Sequence, residues 1–249
     1  MLVHLMSYTP DALNLLLRTK NTRLSFGDDP ATWTDEQRQE HLAYMRDTIK
    51  SSWEFVDYIF KIDGVSRAFT HQLVRTRTGS YAQQAMRVVD ARNQEVLRPE
   101  MGPAAEIWDH GVAAALDAYG ELVDLGVPVQ DARGILPTNI TTSIMAKFNL
   151  RTLHEMAKLR LCTRTQGEYQ DVFRAMREAI LVVHPWAAEF LEPYCAAHGA
   201  CAFPRYGEAE CPVWFAELDI KDVCATAHQR FWKGGRYEAS PVAKDGRAM

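Results

Sequence analysis

The sequence predicts one α+β domain followed by a C-terminal extension. Apolar residues alternate in segments 3–8 and 55–62, as they do in half-buried strands. They recur at helical spacing in segments 107–125 and 171–183. Hydrophobic residues make up 47% of the 249 residues, which is enough for a buried core, and we find no internal repeat or linker.

Local signals predict where the early helices begin. Thr9-Pro10 supplies an N-cap and a first-turn proline for a first helix. Thr34 and Gln37 form a capping box, so a second helix is expected from Asp35 to about Ile49.

Three further segments are assigned from their turn and cap residues. Ser66 is a plausible N-cap for a short helix that extends through Arg75. After a turn at Gly79, the segment 80–89 is expected to be extended. Segment 131–137 is expected to form a loop.

Positive charge is concentrated in one stretch of an acidic protein. The chain has 32 acidic residues and a net charge of −4, but none of those acids lies between Asp63 and Asp90. The planar fork of arginine suits phosphate and carboxylate. A nucleotide-phosphate site is one interpretation, and an arginine face that pairs with acids elsewhere is the other. The arginines of this stretch are Arg67, Arg75, Arg77 and Arg87.

Composition also limits the class of protein. No apolar run reaches the length of a membrane span, and the N-terminus lacks the pattern of a secretory signal. Five cysteines in a chain of this size do not indicate a disulfide scaffold. We therefore expect a cytoplasmic protein without a membrane partner.

Three cysteines and one histidine of the C-terminal extension are candidate metal ligands. Cys195, His198, Cys201 and Cys211 offer four N and S ligands, which suit tetrahedral zinc. A single C-x-x-H-x-x-C without a matched second pair is a weak signal. Reduced or buried cysteines are the favoured interpretation, and no metal site is predicted.

The arginine-rich stretch resembles the signature of the flavin-dependent thymidylate synthases, RHRxxSxNExSxR. Arg75, Arg77, Ser80 and Arg87 occupy fixed positions of that pattern, and the lead-in 64–74 is also similar to the family. Several fixed positions together are more specific than a short motif.

The chain departs from the family pattern at several positions. An upstream signature, HxSxxEH, keeps its Ser and Glu at Ser51 and Glu54 but lacks both His residues. The replacements lie on the side of the pattern that contacts flavin, or at the nucleotide. They are Ile49 and Phe55 for the two upstream His, Thr76 for the motif His, Ala82-Gln83 for Asn-Glu, and Ala85 for the second Ser.

A second basic segment, 148–166, is similar to another region of the family. Asn149 and Arg151 match its flavin-side positions, and Arg160 matches the arginine that reaches the nucleotide. Arg133 precedes a Leu-Pro, where the family has an arginine that contributes to the nucleotide site. Lys158 and Arg164 are interpreted as solvated charges.

The resemblance implies an architecture and a set of site residues. It implies a domain over residues 1–190 with a mixed sheet flanked by helices, an extension over 191–249, and a homotetramer with sites between subunits. Arg160 would be catalytic by polarising the base. The implied nucleotide set is Gln72, Gln83, Arg87, Arg133 and Arg160, and the implied flavin set is Arg75, Thr76, Arg77, Asn149 and Arg151.

The resemblance also implies a reaction. The one-carbon unit of methylenetetrahydrofolate passes to C5 of dUMP, and FAD reduced by NADPH supplies the hydride that gives dTMP. No Ser-His-Asp or Cys-His nucleophile set is visible in the sequence. The protein would then act by positioning the reactants and by stabilising the charge that develops on them.

Two alternatives stay open. The departures suggest a variant methylase or hydroxymethylase that acts on another pyrimidine nucleotide, such as dCMP. A non-catalytic protein that binds nucleotides or nucleic acid is the third hypothesis. The net charge of −4 and the few aromatic residues in the basic stretches argue against a nucleic-acid partner.

Overall fold

The structure is a computed structural model, and it describes residues 1–24, 29–48, 50–203, 211 and 238–239. Its strands are β1 (Leu2–Tyr8), β2 (Asp57–Ser66), β3 (Ser80–Gln83), β4 (Leu97–Arg98), β5 (Thr141–Asn149) and β6 (Glu238–Ala239). Its helices are α1 (Ala12–Leu24), α2 (Asp35–Thr48), α3 (Arg67–Leu73), α4 (Ala105–Asp124), α5 (Val129–Ala132), α6 (Leu150–Arg160), α7 (Gly167–Val183) and α8 (Tyr194–His198). Short 3₁₀ turns cover Pro30–Thr32, Lys50–Phe55, Gly102–Ala104, Arg133–Ile135 and Pro185–Phe190.

The main sheet has four strands in the order β1-β2-β5-β3. Each of these neighbouring pairs is antiparallel, so the expectation of a mixed sheet was wrong for the described strands. The pair β2–β5 extends from Asp57 opposite Asn149 to Ser66 opposite Thr141. It therefore places the N-terminus of α3 at one end of the sheet and the N-terminus of α6 at the other.

The main core lies between this sheet and the helices. On β5 the residues Thr142, Ile144, Ala146 and Phe148 are buried and alternate with more exposed neighbours, which gives one buried face. Large aromatic side chains from β2, α3 and α7 fill the interior against that face. A smaller cluster surrounds the buried Tyr119 of α4, whose hydroxyl accepts the backbone N–H of Ala91.

Most predicted elements are present. The first strand and first two helices are confirmed, and Thr34 and Gln37 exchange the two hydrogen bonds of a capping box. Ser66 caps α3, because its hydroxyl accepts the backbone N–H of Phe69. The helices predicted at 107–125 and 171–183 are α4 and α7.

Several boundaries differ from the predictions. The second strand begins at Asp57, since Lys50–Phe55 forms a 3₁₀ turn. Extended structure after Gly79 ends at Gln83, and segment 131–137 is mostly helical turn rather than open loop. Strand β5 was missed, because its alternation was interpreted as part of a basic segment.

Some predictions concern residues outside the described part of the chain. Ile49, most of the extension after 203 and the expected disordered end are among them. Within the described residues, no helix is both long and apolar enough to cross a membrane.

Candidate active site

A pocket of about 720 Å³ opens beside α6, from its N-cap to its last residue. That volume lies within the range of small-ligand sites, ~300–1,000 Å³. Three segments that are distant in sequence converge on it. The lining residues are Glu54, Thr76, Thr78, Asn149, Arg151, Thr152, Glu155, Met156, Leu159 and Arg160.

Asn149 stands where β5 ends and α6 begins. Its side-chain oxygen accepts the backbone N–H of Thr152 at 2.8 Å, so it is the N-cap of α6. The hydroxyl of Thr152 in turn donates to that of Thr78 at 3.0 Å. These contacts hold the start of α6 against the loop that follows α3.

Arg151 projects from the first turn of α6 and forms an ion pair across the pocket. Its Nη1 donates to Glu54 Oε1 at 2.6 Å, and both side chains are about half exposed. Glu54 is the acidic residue that the degenerate upstream signature keeps. The pair therefore joins two segments that the sequence alone associated with flavin.

Arg160 ends α6 and lies over an aromatic ring. Its guanidinium carbon is 4.2 Å from the ring centroid of Tyr169, which is fully buried at 0% exposure. Tyr169 packs edge-on against Phe69 of α3, with centroids 5.0 Å apart. In the described part of the chain no carboxylate pairs with Arg160, so its charge is available to an anionic ligand.

Another pocket residue, Glu155, is surrounded by lysines. Burial acts to raise the pKa of its carboxyl, but Lys158 and Lys50, together with His154, hold that pKa below its usual value. Lys158 Nζ lies 3.1 Å and Lys50 Nζ 3.6 Å from Glu155 Oε1. Glu155 is therefore ionised and compensated at neutral pH.

The loop after α3 is shaped by Tyr81 and Gly79. The Tyr81 hydroxyl lies 2.7 Å from the carbonyl oxygen of Thr76 and 3.0 Å from that of Leu73, and burial raises its pKa to about 12. A Cβ on Gly79 would lie 2.6 Å from a ring carbon of Phe148, closer than real Cβ contacts. Only glycine lets the loop approach the core here, and this approach places Thr76 in the pocket.

A buried carboxyl fixes the start of α3. Glu168 accepts the backbone N–H of Ser66 at 2.6 Å and the Ser66 hydroxyl at 2.5 Å. Burial raises the pKa of Glu168, and the two donors oppose that rise. Since Ser66 caps α3, this contact ties α7 to the helix that leads into the Thr76 loop.

Only part of the predicted site lines the pocket. Thr76, Asn149, Arg151 and Arg160 meet there. The other predicted residues do not line it, and they are Gln72, Arg75, Arg77, Gln83, Arg87 and Arg133.

The predicted residues outside the pocket have other surroundings. Gln72 donates its amide N–H to Gln166, and Gln83 donates to the Thr70 hydroxyl at 2.8 Å. Arg75, Arg77, Arg87 and Arg133 are exposed. Gln83 pairs with Ile144, five residues along β5 from Asn149, which is ~17 Å at strand spacing.

Arg133 lies close to an arginine that sequence reasoning did not assign to the site. Burial lowers the pKa of Arg67, and the charge of Arg133 lowers it further. Arg67 Nη1 also donates to the carbonyl of Gln84 at 3.5 Å. Arg67 belongs to the lead-in of the signature, and that membership was the available signal.

Sequence reasoning also missed pocket residues and misplaced one. Thr78, Thr152, Glu155, Met156 and Leu159 line the pocket but carried no motif signal. His154 lies three residues after Arg151 and four before Lys158, a spacing that predicts one shared helix face. Instead it is buried, donates from Nδ1 to the Phe190 carbonyl at 2.7 Å, and has its pKa lowered chiefly by burial.

The family profile described as "Thymidylate synthase complementing protein" matches residues 4–186 of this chain. The chain belongs to this family. Curated relatives are named flavin-dependent thymidylate synthase. The relative from Sulfurisphaera tokodaii is 34% identical over 207 residues, 79% of each chain. The relative from Pyrococcus furiosus is 37% identical over 166 residues, which cover 61% of this chain and 67% of that protein.

Solved structures share the fold. The flavin-dependent thymidylate synthase ThyX of Helicobacter pylori, complexed with FAD and dUMP, aligns with a TM-score of 0.62 at 21% identity. The alignment covers 77% of this chain and all of that one. A UMP/dUMP methylase, PolB of Streptomyces cacaoi, bound with 5-Br dUMP, aligns with a TM-score of 0.64 at 18% identity, covering 76% and 93% of the two chains. At these identities the likeness concerns the fold alone.

Proposed function

We propose that this protein transfers a one-carbon unit from methylenetetrahydrofolate to C5 of dUMP and, with FAD and NADPH as the reductants, gives dTMP. One observation carries the proposal. In a chain of this family, Thr76, Asn149, Arg151 and Arg160 come from distant segments and line one pocket of about 720 Å³. We place the reaction in the cytoplasm, where folates, NADPH and deoxynucleotides are available together.

The residues present fit a flavin nucleotide. Arg151 can bind a diphosphate by turning from Glu54, because an exposed ion pair of this kind is worth only ~0–1 kcal/mol. Thr76 stands where the family motif has a His, and it and Thr78 offer hydroxyls, which bind a ligand by hydrogen bonding alone. When bound, the flavin would supply the hydride that completes the methyl group.

Arg160 is the residue that we assign to the pyrimidine. Its guanidinium is held at the pocket by the ring of Tyr169, so the side chain is oriented before a ligand arrives. A positive charge fixed there stabilises negative charge that develops on the pyrimidine oxygens during attack from C5. The protein needs no nucleophile for that role.

The nucleotide residues divide into two groups, which supports a site shared between subunits. Arg160 lies at the pocket, whereas Gln83, Arg87 and Arg133 do not line it, and Arg87 and Arg133 are exposed. Exposed arginines outside the pocket of their own chain are free to contact a nucleotide bound to a neighbouring chain. We infer a homotetramer in which a neighbouring chain presents Arg87 and Arg133 to the pocket of the first.

The test is an anaerobic incubation with FAD, NADPH and methylenetetrahydrofolate, with dUMP and dCMP offered separately. Mass spectrometry of the nucleotides should find dTMP from dUMP and nothing new from dCMP. Failure to form dTMP in a sample that binds dUMP, checked by isothermal titration calorimetry, would contradict the proposal. The same incubation without folate is the control.

A second function is favoured by the residues beside the pocket. Phe55 is 60% exposed where the family has a His, and Thr76 stands in the pocket in place of the motif His. The absence of these two imidazoles changes which groups can donate protons on the flavin side of the site. A variant enzyme that methylates or hydroxymethylates dCMP is therefore the alternative, and a hydroxymethyl product or activity on dCMP alone would select it.

A further inference from the structure

Four cysteines from distant parts of the chain lie in or near the loop that follows α6. Cys162 belongs to that loop, and α8, which contains Cys195, packs against α6. The thiol of Cys211 lies 3.7 Å from the hydroxyl of Thr163. None of the four, counting Cys201, forms a disulfide among the described residues.

The same loop holds the segment of Cys201. Arg164 lies over the ring of Phe203, with 4.6 Å between the guanidinium carbon and the ring centroid. Phe203 is two residues after Cys201, so this stacking brings the Cys201 segment to the loop. Separate contacts therefore bring Cys195 near α6, and Cys201 and Cys211 near the loop that follows it.

Two of the thiols receive backbone hydrogen bonds in the same way. Phe203 N–H donates to Cys201 Sγ at 3.3 Å, and Arg164 N–H donates to the Cys162 thiol. In both cases the donor is two residues after the cysteine. A thiolate is a stronger acceptor than a thiol, so backbone donors at these positions suit sulfur atoms that bind a cation.

The electrostatic interactions of Cys162 also indicate that the four thiols lie near one another. Burial raises the pKa of Cys162, the Arg164 N–H opposes that rise, and the charges of Cys195, Cys211 and Cys201 add to it. Four thiolates so close repel one another unless a cation lies among them. Arg164 lies beside them and offsets part of the −2 charge that a divalent ion with four thiolates would carry.

We propose that Cys162, Cys195, Cys201 and Cys211 bind one zinc ion at a structural site beside the end of α6. Zinc takes four thiolates in a tetrahedron at ~2.3 Å, and sulfur ligands select it over magnesium and calcium. Each thiol releases its proton to solvent as it binds. We leave His198, the histidine of the C-x-x-H-x-x-C pattern, out of the set because its side chain is exposed and its ring stacks on that of Tyr194, with 4.1 Å between the ring centroids.

The ion must draw the thiols together. As placed, the described His, Cys, Asp and Glu side chains form no group of three or more that could hold a metal ion. All four thiols are only partly buried, so they can rotate inward. The free energy of zinc binding can offset that adjustment, because binding of a structural zinc ion is coupled to folding.

A zinc ion at this site would connect the C-terminal extension to α6, the helix that lines the pocket. Cys162 comes two residues after Arg160, so an ion there would hold Cys195, Cys201 and Cys211 against the end of α6. The site is structural and separate from the pocket, and its occupancy is measurable without any enzymatic assay.

The test uses the full-length protein expressed with added zinc and measures metal by mass spectrometry of the purified chain. We expect about one zinc per chain in the wild type, and less than ~0.2 in both Cys162→Ser and Cys201→Ser. Cys224→Ser and His198→Ala are matched controls that should keep the metal. Cobalt substitution of the wild type should give the visible absorption of tetrahedral thiolate coordination, a readout that does not depend on whether variants fold.

Several results would overturn the proposal. Wild-type protein without metal and with fewer thiols titratable under denaturing conditions would mean that the cysteines form disulfides. Loss of zinc in His198→Ala with full zinc in Cys162→Ser would mean that the ligands are the C-x-x-H-x-x-C set and Cys211. Zinc retained in both Cys→Ser variants would place the ion elsewhere.

Discussion

The pocket face and the outer face of this domain differ in how their side chains are arranged. On the pocket face, defined by Thr76, Asn149, Arg151 and Arg160, side chains from three segments meet within one chain. On the outer face, defined by Gln83, Arg87 and Arg133, side chains are spread along the surface. The pocket face is held by short bonds to buried elements, and the outer face has few such bonds. The comparison therefore separates the predicted residues that line the pocket from predicted residues that do not line it.

The largest effect is expected from Arg160 on the pocket face. Arg160→Ala should lower kcat/KM for dUMP by ~10²–10³-fold, because it removes a positioned charge that acts in the transition state. The far-ultraviolet circular dichroism should not change. Arg18→Ala, an exposed arginine paired with Asp29, is the control and should keep full activity. Unchanged kcat/KM in the Arg160 variant would refute its assignment.

Arg87 and Arg133 test the outer face. Either Arg→Ala change should weaken dUMP binding by ~10–100-fold in titration calorimetry, the cost of one charge-assisted hydrogen bond. Neither should unfold the chain, since both side chains are exposed. Wild-type affinity in both variants would remove these residues from the site.

Mixing the two kinds of variant sharpens the comparison further. Co-expressed Arg160→Ala and Arg87→Ala chains should recover about a quarter of wild-type activity, because random mixing restores that share of sites built from two chains. No recovery would mean that both arginines serve a site within one chain.

Gly79 tests how far the pocket face depends on the core. Gly79→Ala should lower the free energy of unfolding by ~1–3 kcal/mol, since its Cβ would lie 2.6 Å from Phe148, which is 1% exposed. Gly111→Ala, with nothing within 4 Å of its Cβ and a position in α4, should instead stabilise by ~0.5–1 kcal/mol. Urea unfolding of both variants measures the difference, and equal effects would contradict the close approach.

A smaller effect is expected from the ion pair of Arg151. Glu54→Gln should tighten FAD binding by a factor of up to ~5, because an exposed pair is worth ~0–1 kcal/mol and the arginine no longer has a competing carboxylate. Fluorescence titration of FAD measures it. Weaker binding would mean that Glu54 itself contacts the flavin.

The smallest effect concerns pH and the buried side of α6. Burial lowers the pKa of His154 in the folded state, whereas the unfolded chain takes up the proton near ~6.5. The contribution of His154 to stability is therefore complete above ~6.5 and is lost as the pH falls below that value. Thermal unfolding of His154→Asn should show a shallower decline between neutral and acid pH, and His110→Asn, on the exposed side of α4, should show the wild-type slope.

Much of the local structure could be predicted from the sequence. Caps at Thr34 and Ser66 depend on neighbours within a few residues, so the helices they begin were placed correctly. The signature around Arg75 and the segment around Asn149 identified the family, because side-chain identities at fixed spacing persist without the fold. Strand β5 was missed although its alternation is present, since its one charged residue, Lys147, was grouped with the basic residues that follow the strand.

Only the tertiary structure decided which predicted residues meet. The β2–β5 register brings Asn149 beside Asp57 and thus α6 beside the Glu54 turn, a contact between residues nearly a hundred positions apart. It also turned His154 into the core and left Arg133 outside the pocket lining. Sequence spacing determines the face of one element, but strand register and helix packing depend on the fit of many side chains at once, and no single segment contains that information.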